Sequence, residues 1–186
     1  MSMTDAYVMP TTIWEADLSI SMYEASVPVI THMLGSLSHV LSKAEAHAAE
    51  RKIDPQVFVN ARLAPDMFPL KRQVQIASDN AKGMTSRLAG RDAPKYEDNE
   101  DNFAELQARI AKTRDYLASL ISAEFDGAES RPIQIKSGGR ELNFTGSQYL
   151  TLFAMPNFLF HVTTAYDILR HNGVPLSKPD FLGGGK

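Results

Sequence analysis

Cysteine is absent from all 186 residues. Disulfides, thiolate nucleophiles and cysteine metal sites are therefore excluded, and the expected setting is a reducing, cytoplasmic one. No apolar run approaches the roughly 18 residues of a membrane span, so no membrane partner is expected. The first residues lack a basic stretch leading into an apolar one, which argues against a secretory signal. Basic residues are not in excess: the net charge is −3, which argues against a nucleic-acid partner. No phosphate-binding loop, dinucleotide glycine pattern or GxSxG motif occurs. What remains is ordinary globular material, 44% hydrophobic and 22% charged, enough for one full-sized core.

The pattern along the chain is helical. Residues 1–17 read as an N-terminal extension, in which Trp14, the sole tryptophan, is expected to pin the arm to the domain. Residues 18–186 read as one domain. Met22, Val29, Met33, Leu37, Val40 and Ala44 recur at helical spacing, predicting a first helix from about Ser19 to Arg51. Pro28 falls inside it and predicts a kink or an earlier helix start. A short helical turn follows at Pro55–Asn60. Pro69 then suits the first turn of a second helix ending near Leu88, with Gly90 as its stop. A third helix spans Phe103 to Leu120 and is the most clearly amphipathic.

The period then changes from helical to alternating. Arg131 to Lys136 and Arg140 to Thr145 flank Ser137-Gly-Gly, the pattern of a β-hairpin. Ile133, Ile135, Leu142 and Phe144 would form its buried face. Thr145 offers a cap to a fourth helix from Gln148 to Asn172, where Pro156 should bend or split the run. The expected class is all-α: four long helices with a small hairpin between the third and fourth.

Candidate chemistry centres on the fourth helix. Asn157, His161 and Thr164 are four and then three residues apart, hence on one face. Burying such a stripe is costly unless the groups are hydrogen-bonded or hold a ligand. His161 leads the set, read either as a core histidine, a pocket-lining group or a metal ligand. Gln73 and Asn80 share a face of the second helix. They read first as its wet edge, and otherwise as partners for His161 across the bundle. Arg62 and Asp66 are expected to form an ion pair that orders their loop, with Arg62 as a possible anion clamp at a pocket mouth. His32, His39, His47 and His171 show no partner in the sequence. Asp167 and His171 read as a surface pair near a helix end. The acidic run Glu97–Asp101, with Glu105, Glu124 and Glu129, reads as solvated surface.

Four stretches carry a family resemblance: SMYEASVPV, NARLAPDMFPLKRQVQIASDNAKG, GGRELNFTG and PNFLFHVTTAYDILRHNGVPLSKPDFLG. Together they resemble the DinB/YfiT-like superfamily and, within it, the domain-of-unknown-function family 1993. The resemblance implies a four-helix bundle with up-down-down-up connectivity, and dimers. Metal-binding members of the superfamily use one histidine on the second helix and HxxxH on the last. They hold zinc or nickel, and some are thiol-dependent transferases or isomerases. Here His161 matches the second histidine of HxxxH, Asn157 stands at the first, and the second helix offers Gln73 and Asn80. One imidazole and two amides make a poor zinc site.

Three readings follow. The first is a metal-free domain binding an unknown small molecule in the bundle, without a cofactor. The second is a zinc- or nickel-dependent transferase or hydrolase, built on His161 with Asp66, water or a homodimer partner completing the site. The third is a dimeric interaction module in which His161 is only a core polar group.

Overall fold

The computed structural model describes residues 20–183; the N-terminal extension and Trp14 lie outside them. Four long helices dominate: α1 (Val27–Arg51), α3 (Leu70–Ala89), α4 (Phe103–Ala118) and α6 (Met155–His171). Short helices α2 (Pro55–Val59) and α5 (Gly146–Gln148) lie in the connections, and α7 (Lys178–Phe181) follows the last long helix. Strands β1 (Pro132–Ser137) and β2 (Arg140–Thr145) form one antiparallel hairpin between α4 and α5. No helix is long and apolar enough to cross a membrane among the described residues.

Capping chemistry sets most helix ends. Asn102 accepts from the Glu105 amide at the start of α4. Thr145 and Gln148 exchange side-chain and backbone hydrogen bonds in a capping box that turns β2 into α5. Gly90, in the left-handed region, closes α3. The first helix begins later than its spacing predicts. Residues 22–26 are turns, the Ser26 hydroxyl donates to the Met22 carbonyl, and Pro28 lies in the first turn of α1 rather than at a kink. There its missing N–H costs nothing.

Phe58, Phe103, Phe158, Ile30, Leu34 and Leu41 are fully enclosed at the centre of the core. Helix α3 packs between α4 and α6, and α1 lies against both α4 and α6. Polar pairs mark the seams. Ser38 of α1 bonds Gln107 of α4; Asp79 and Ser86 of α3 meet Arg109 and Tyr116 of α4; Gln73 and Asn80 of α3 meet His161 and Asn157 of α6.

The hairpin pairs Ile133 with Phe144 and Ile135 with Leu142, and its apolar face turns inward as the alternation predicts. Gly138 and Gly139 both have positive φ, +56° and +75°, which a two-residue hairpin turn requires. Gly146 has a different role. A Cβ built there would stand 1.7 Å from the Ala128 carbonyl oxygen, so the hairpin's exit lies directly on the backbone that leads into it.

Pro156 falls in the first turn of α6, where the long run changes its winding. The preceding turn, Tyr149–Ala154, is wound as a π-helix that runs straight into α6. A proline ring clashes with the carbonyl four residues back in a regular helix, here that of Leu152. A π turn, with its wider winding, is one way for a helix to accommodate such a residue.

The acidic linker is not free in solvent. Arg109, with its side chain 1% exposed, ion-pairs with Asp79 at 2.8 Å, Asp98 at 3.0 Å and Glu100 at 2.9 Å, and bonds the Glu97 carbonyl. Lys82 also pairs with Asp79, and Arg72 with Asp98. The Tyr96 ring stacks beneath Lys82, Lys112 and Arg109. Glu124, likewise read as solvated, pairs with Arg91 and caps the Ile121 amide. These carboxylates are structural because their cations come from distant elements.

Candidate functional site

The site is built where α3 faces α6. Gln73 and Asn80 are seven residues apart, two turns of helix, and so present both amides along one line. Asn157 and His161, one turn apart, answer them from α6. Asn157 Nδ2 donates to Asn80 Oδ1 at 3.2 Å, and His161 Nδ1 lies 2.7 Å from Gln73 Oε1. The expectation that Gln73 and Asn80 form a wet edge is corrected: Gln73 is buried and Asn80 half-buried, because α6 covers them.

The bonding of Gln73 decides the state of His161. Gln73 Nε2 donates to the Phe68 carbonyl at 3.0 Å. A carbonyl only accepts, so the amide nitrogen must face Phe68 and the amide oxygen must face the imidazole. His161 Nδ1 therefore carries a proton and donates it. On the neutral ring, Nε2 is left with a lone pair, and it makes no hydrogen bond among the described residues. Burial, and secondarily the Arg72 charge, lowers the His161 pKa from its ordinary 6.5. The ring is thus neutral at neutral pH, with one nitrogen fixed and one available.

This state has a consequence for acid stability. An unfolded chain takes up the proton on His161 as pH falls through about 6.5, while the folded chain lags behind it. Stability is therefore lost on acidification below that value, down to the lower folded pKa. A His161→Gln variant cannot take up that proton. Its urea midpoint is expected to fall less than the parent's between about pH 7.5 and pH 5. Parallel profiles for the two proteins would show that the folded ring titrates normally.

Asn80 is incompletely satisfied. Its Nδ2 is buried and has no partner among the described residues. Exchanging the oxygen and nitrogen of both asparagines restores the Asn80–Asn157 bond but orphans the Asn80 oxygen instead. Either way, one enclosed polar atom of Asn80 lacks a partner beside the available nitrogen's helix turn. Farther along the seam, Arg87 reaches the Tyr149 hydroxyl at 3.3 Å, and burial raises that phenol's pKa against the opposing Arg87 charge.

Two expected members stand apart. Thr164 is buried, but its hydroxyl donates to the Phe160 carbonyl of its own helix at 2.7 Å. Arg62 is exposed and bonds the Pro65 carbonyl; the ion pair expected with Asp66 does not form among the described residues. Asp167 and His171 are both exposed and likewise unpaired there.

Three histidines that seemed unpartnered have neighbours. His39 Nε2 lies 3.0 Å from Asp180 Oδ1, His32 Nε2 lies 2.9 Å from the Leu182 carbonyl, and His47 sets its edge against Phe58. These contacts link α1 to the chain's last described turn or to α2, separations that spacing along the sequence does not reveal. Sequence reasoning also missed Phe160, which is half-exposed and meets His161 edge-on at a centroid distance of 5.3 Å. Its place next to His161 in the chain was the available signal.

The donor set does not suit the divalent metal that the superfamily resemblance implies. One imidazole faces two carboxamides, and no three His, Asp or Glu side chains converge among the described residues. Carboxamides are weak ligands for zinc or nickel, and Gln73 is already held at both ends.

The chain resembles known proteins over nearly all of these elements. No curated protein matches it significantly. A crystal structure of a DinB family member protein from Shewanella denitrificans is similar at 45% identity and a TM-score of 0.79, covering 87% of this chain and 91% of that one. The model of the "Domain of unknown function (DUF1993)" family matches residues 22–182. With the α3–α6 seam inside that match, the chain belongs to the DUF1993 family and is DinB-like.

Proposed function

We propose that the chain binds a small organic molecule at the α3–α6 seam, in place of the metal that the superfamily resemblance implies. The observation that supports this is the polarised Phe68–Gln73–His161 relay. It spends one ring nitrogen on the protein and leaves Nε2 as a fixed acceptor on a neutral ring. The unpartnered Asn80 atom adds a second polar group for the same ligand. A molecule carrying a hydroxyl or amine would donate to Nε2, and Phe160 would cover its apolar part.

The same reading takes the domain as 18–186, a cytoplasmic homodimer with up-down-down-up helices. Pair order supports that connectivity. Gln73 and Asn80 meet His161 and Asn157 in reverse order, so α3 and α6 run antiparallel. Asp79 and Ser86 meet Arg109 and Tyr116 in the same order, so α3 and α4 run parallel.

Thermal-shift screening of the parent against a metabolite panel tests the proposal, because a ligand bound only by the folded state raises its midpoint. Hits are expected that fail to stabilise His161→Phe. Elemental analysis of protein purified without chelator is the counter-test. Near-stoichiometric zinc or nickel, lost in His161→Ala, would establish the metal-dependent reading instead.

A further inference from the structure

A second concavity lies elsewhere among the described residues, between α1 and α4. It encloses about 630 Å³, the size range of small-molecule sites. Its lining comes from the start of α1, the end of α4 and Gly183, with no residue of α3 or α6.

Gly35 lies along it, in the middle of α1. Glycine is a poor helix former, and alanine would serve the helix better. Packing does not require the glycine either: a Cβ built there meets no atom within 4 Å. A bare backbone facing open space lets a ligand approach the helix closely.

The walls have a defined chemistry. His32 and His39 are seven residues apart on one face of α1. Each has its Nε2 set against an acceptor, the Leu182 carbonyl or the Asp180 carboxylate, which fixes the ring's orientation. Asp180 itself is consumed by Lys43, His39 and Ser177, and the Lys43 ammonium holds its carboxyl well below the usual range. Arg114 reaches the groove from α4 and makes no ion pair or hydrogen bond among the described residues. Among the described residues no acidic side chain lines the groove, while Tyr23, Val27 and Leu117 supply apolar surface. Among the described lining residues, Arg114 is thus a cation with no carboxylate partner, beside an apolar wall.

We infer that this groove binds a small organic monocarboxylate. The carboxylate would take the Arg114 guanidinium in a paired geometry, and the apolar body would lie along Gly35. A single arginine suits a monoanion rather than a polyphosphate.

Calorimetric titration with benzoate, phenylacetate and hexanoate tests this, with the corresponding amides as neutral controls. At least one carboxylate is expected to bind about threefold more tightly than its amide, the scale of an ion pair with the exposed Arg114 guanidinium. Arg114→Gln should remove that preference. Gly35→Leu should abolish binding by filling the groove while the circular dichroism stays helical. Gly35→Ala provides a milder filling should the leucine variant fail to fold. Amide shifts in a nitrogen–proton spectrum should centre on Gly35 and Ser36. His161→Phe should bind as the parent does, which separates this site from the α3–α6 seam. Equal affinity for acid and amide, binding that survives Gly35→Leu, or no binding by any of the three acids at millimolar concentration would overturn the inference.

Discussion

Replacing Arg109 with methionine is expected to lower stability by about 3 kcal/mol, the low end for breaking a buried ion pair. The guanidinium is 1% exposed and lies among Asp79, Asp98 and Glu100. With Lys82 and Arg72, the cluster sets three cations against three carboxylates. Removing the central cation leaves one negative charge in excess and the Glu97 carbonyl unbonded. Asp79 and Asp98 are each 37% exposed and can recover water, whereas Glu100, at 11%, recovers little. That difference places the effect at the low end. Urea unfolding measures it. Adding Glu100→Gln to the methionine variant should restore part of the loss, because it removes the excess charge. The linker should also become a protease site at Lys95, since Arg109 is its principal anchor. A loss below about 1 kcal/mol would put the cluster in the class of exposed pairs.

Gly146→Ala is expected to be as damaging, by a different route. The added methyl would stand 1.7 Å from a backbone oxygen, that of Ala128, with Leu88 Cδ2 also in contact. A flexible side chain would move aside. A backbone carbonyl held between two elements must displace one of them. A loss of about 3–5 kcal/mol is expected, at the extreme for a single substitution. Gly35→Ala is the matched control. Its methyl meets nothing, and the better helix propensity should raise stability by about 0.5–1 kcal/mol. Thermal melts of both variants side by side give the comparison. A Gly146→Ala midpoint within a degree or two of the parent's would mean that the hairpin exit is free to shift.

The elements most legible in the sequence were those governed by local rules. Thr145 caps its helix as its side-chain oxygen dictates. The hairpin follows from alternation and the Gly138-Gly139 turn. Half of the seam was legible too: seven-residue spacing aligned Gln73 with Asn80, and four-residue spacing aligned Asn157 with His161. Their meeting across the bundle was legible only as the second reading, after the wet edge, since it is fixed by packing between segments roughly eighty residues apart. The acidic linker was misread for the same reason. A run of carboxylates looks solvated until the buried cation that gathers it, Arg109, is known. His39 and Asp180 are 141 residues apart, so neither position announces the other. Helix α1 starts late because helical spacing continues through turn residues that Pro28 excludes from the regular ladder.

The wide turn at Tyr149–Ala154 does more than make room for a proline. Each residue of a regular helix rotates its successors by 100°. A π turn amounts to one residue more than that winding needs, so it fixes the rotational phase at which everything downstream meets α3. Deleting a single residue there, and rewinding the turn as α, would re-aim Asn157 and His161 without altering either. The polar seam is thus addressed by chain length as much as by side-chain identity. A one-residue change in a segment that touches no ligand would redirect it.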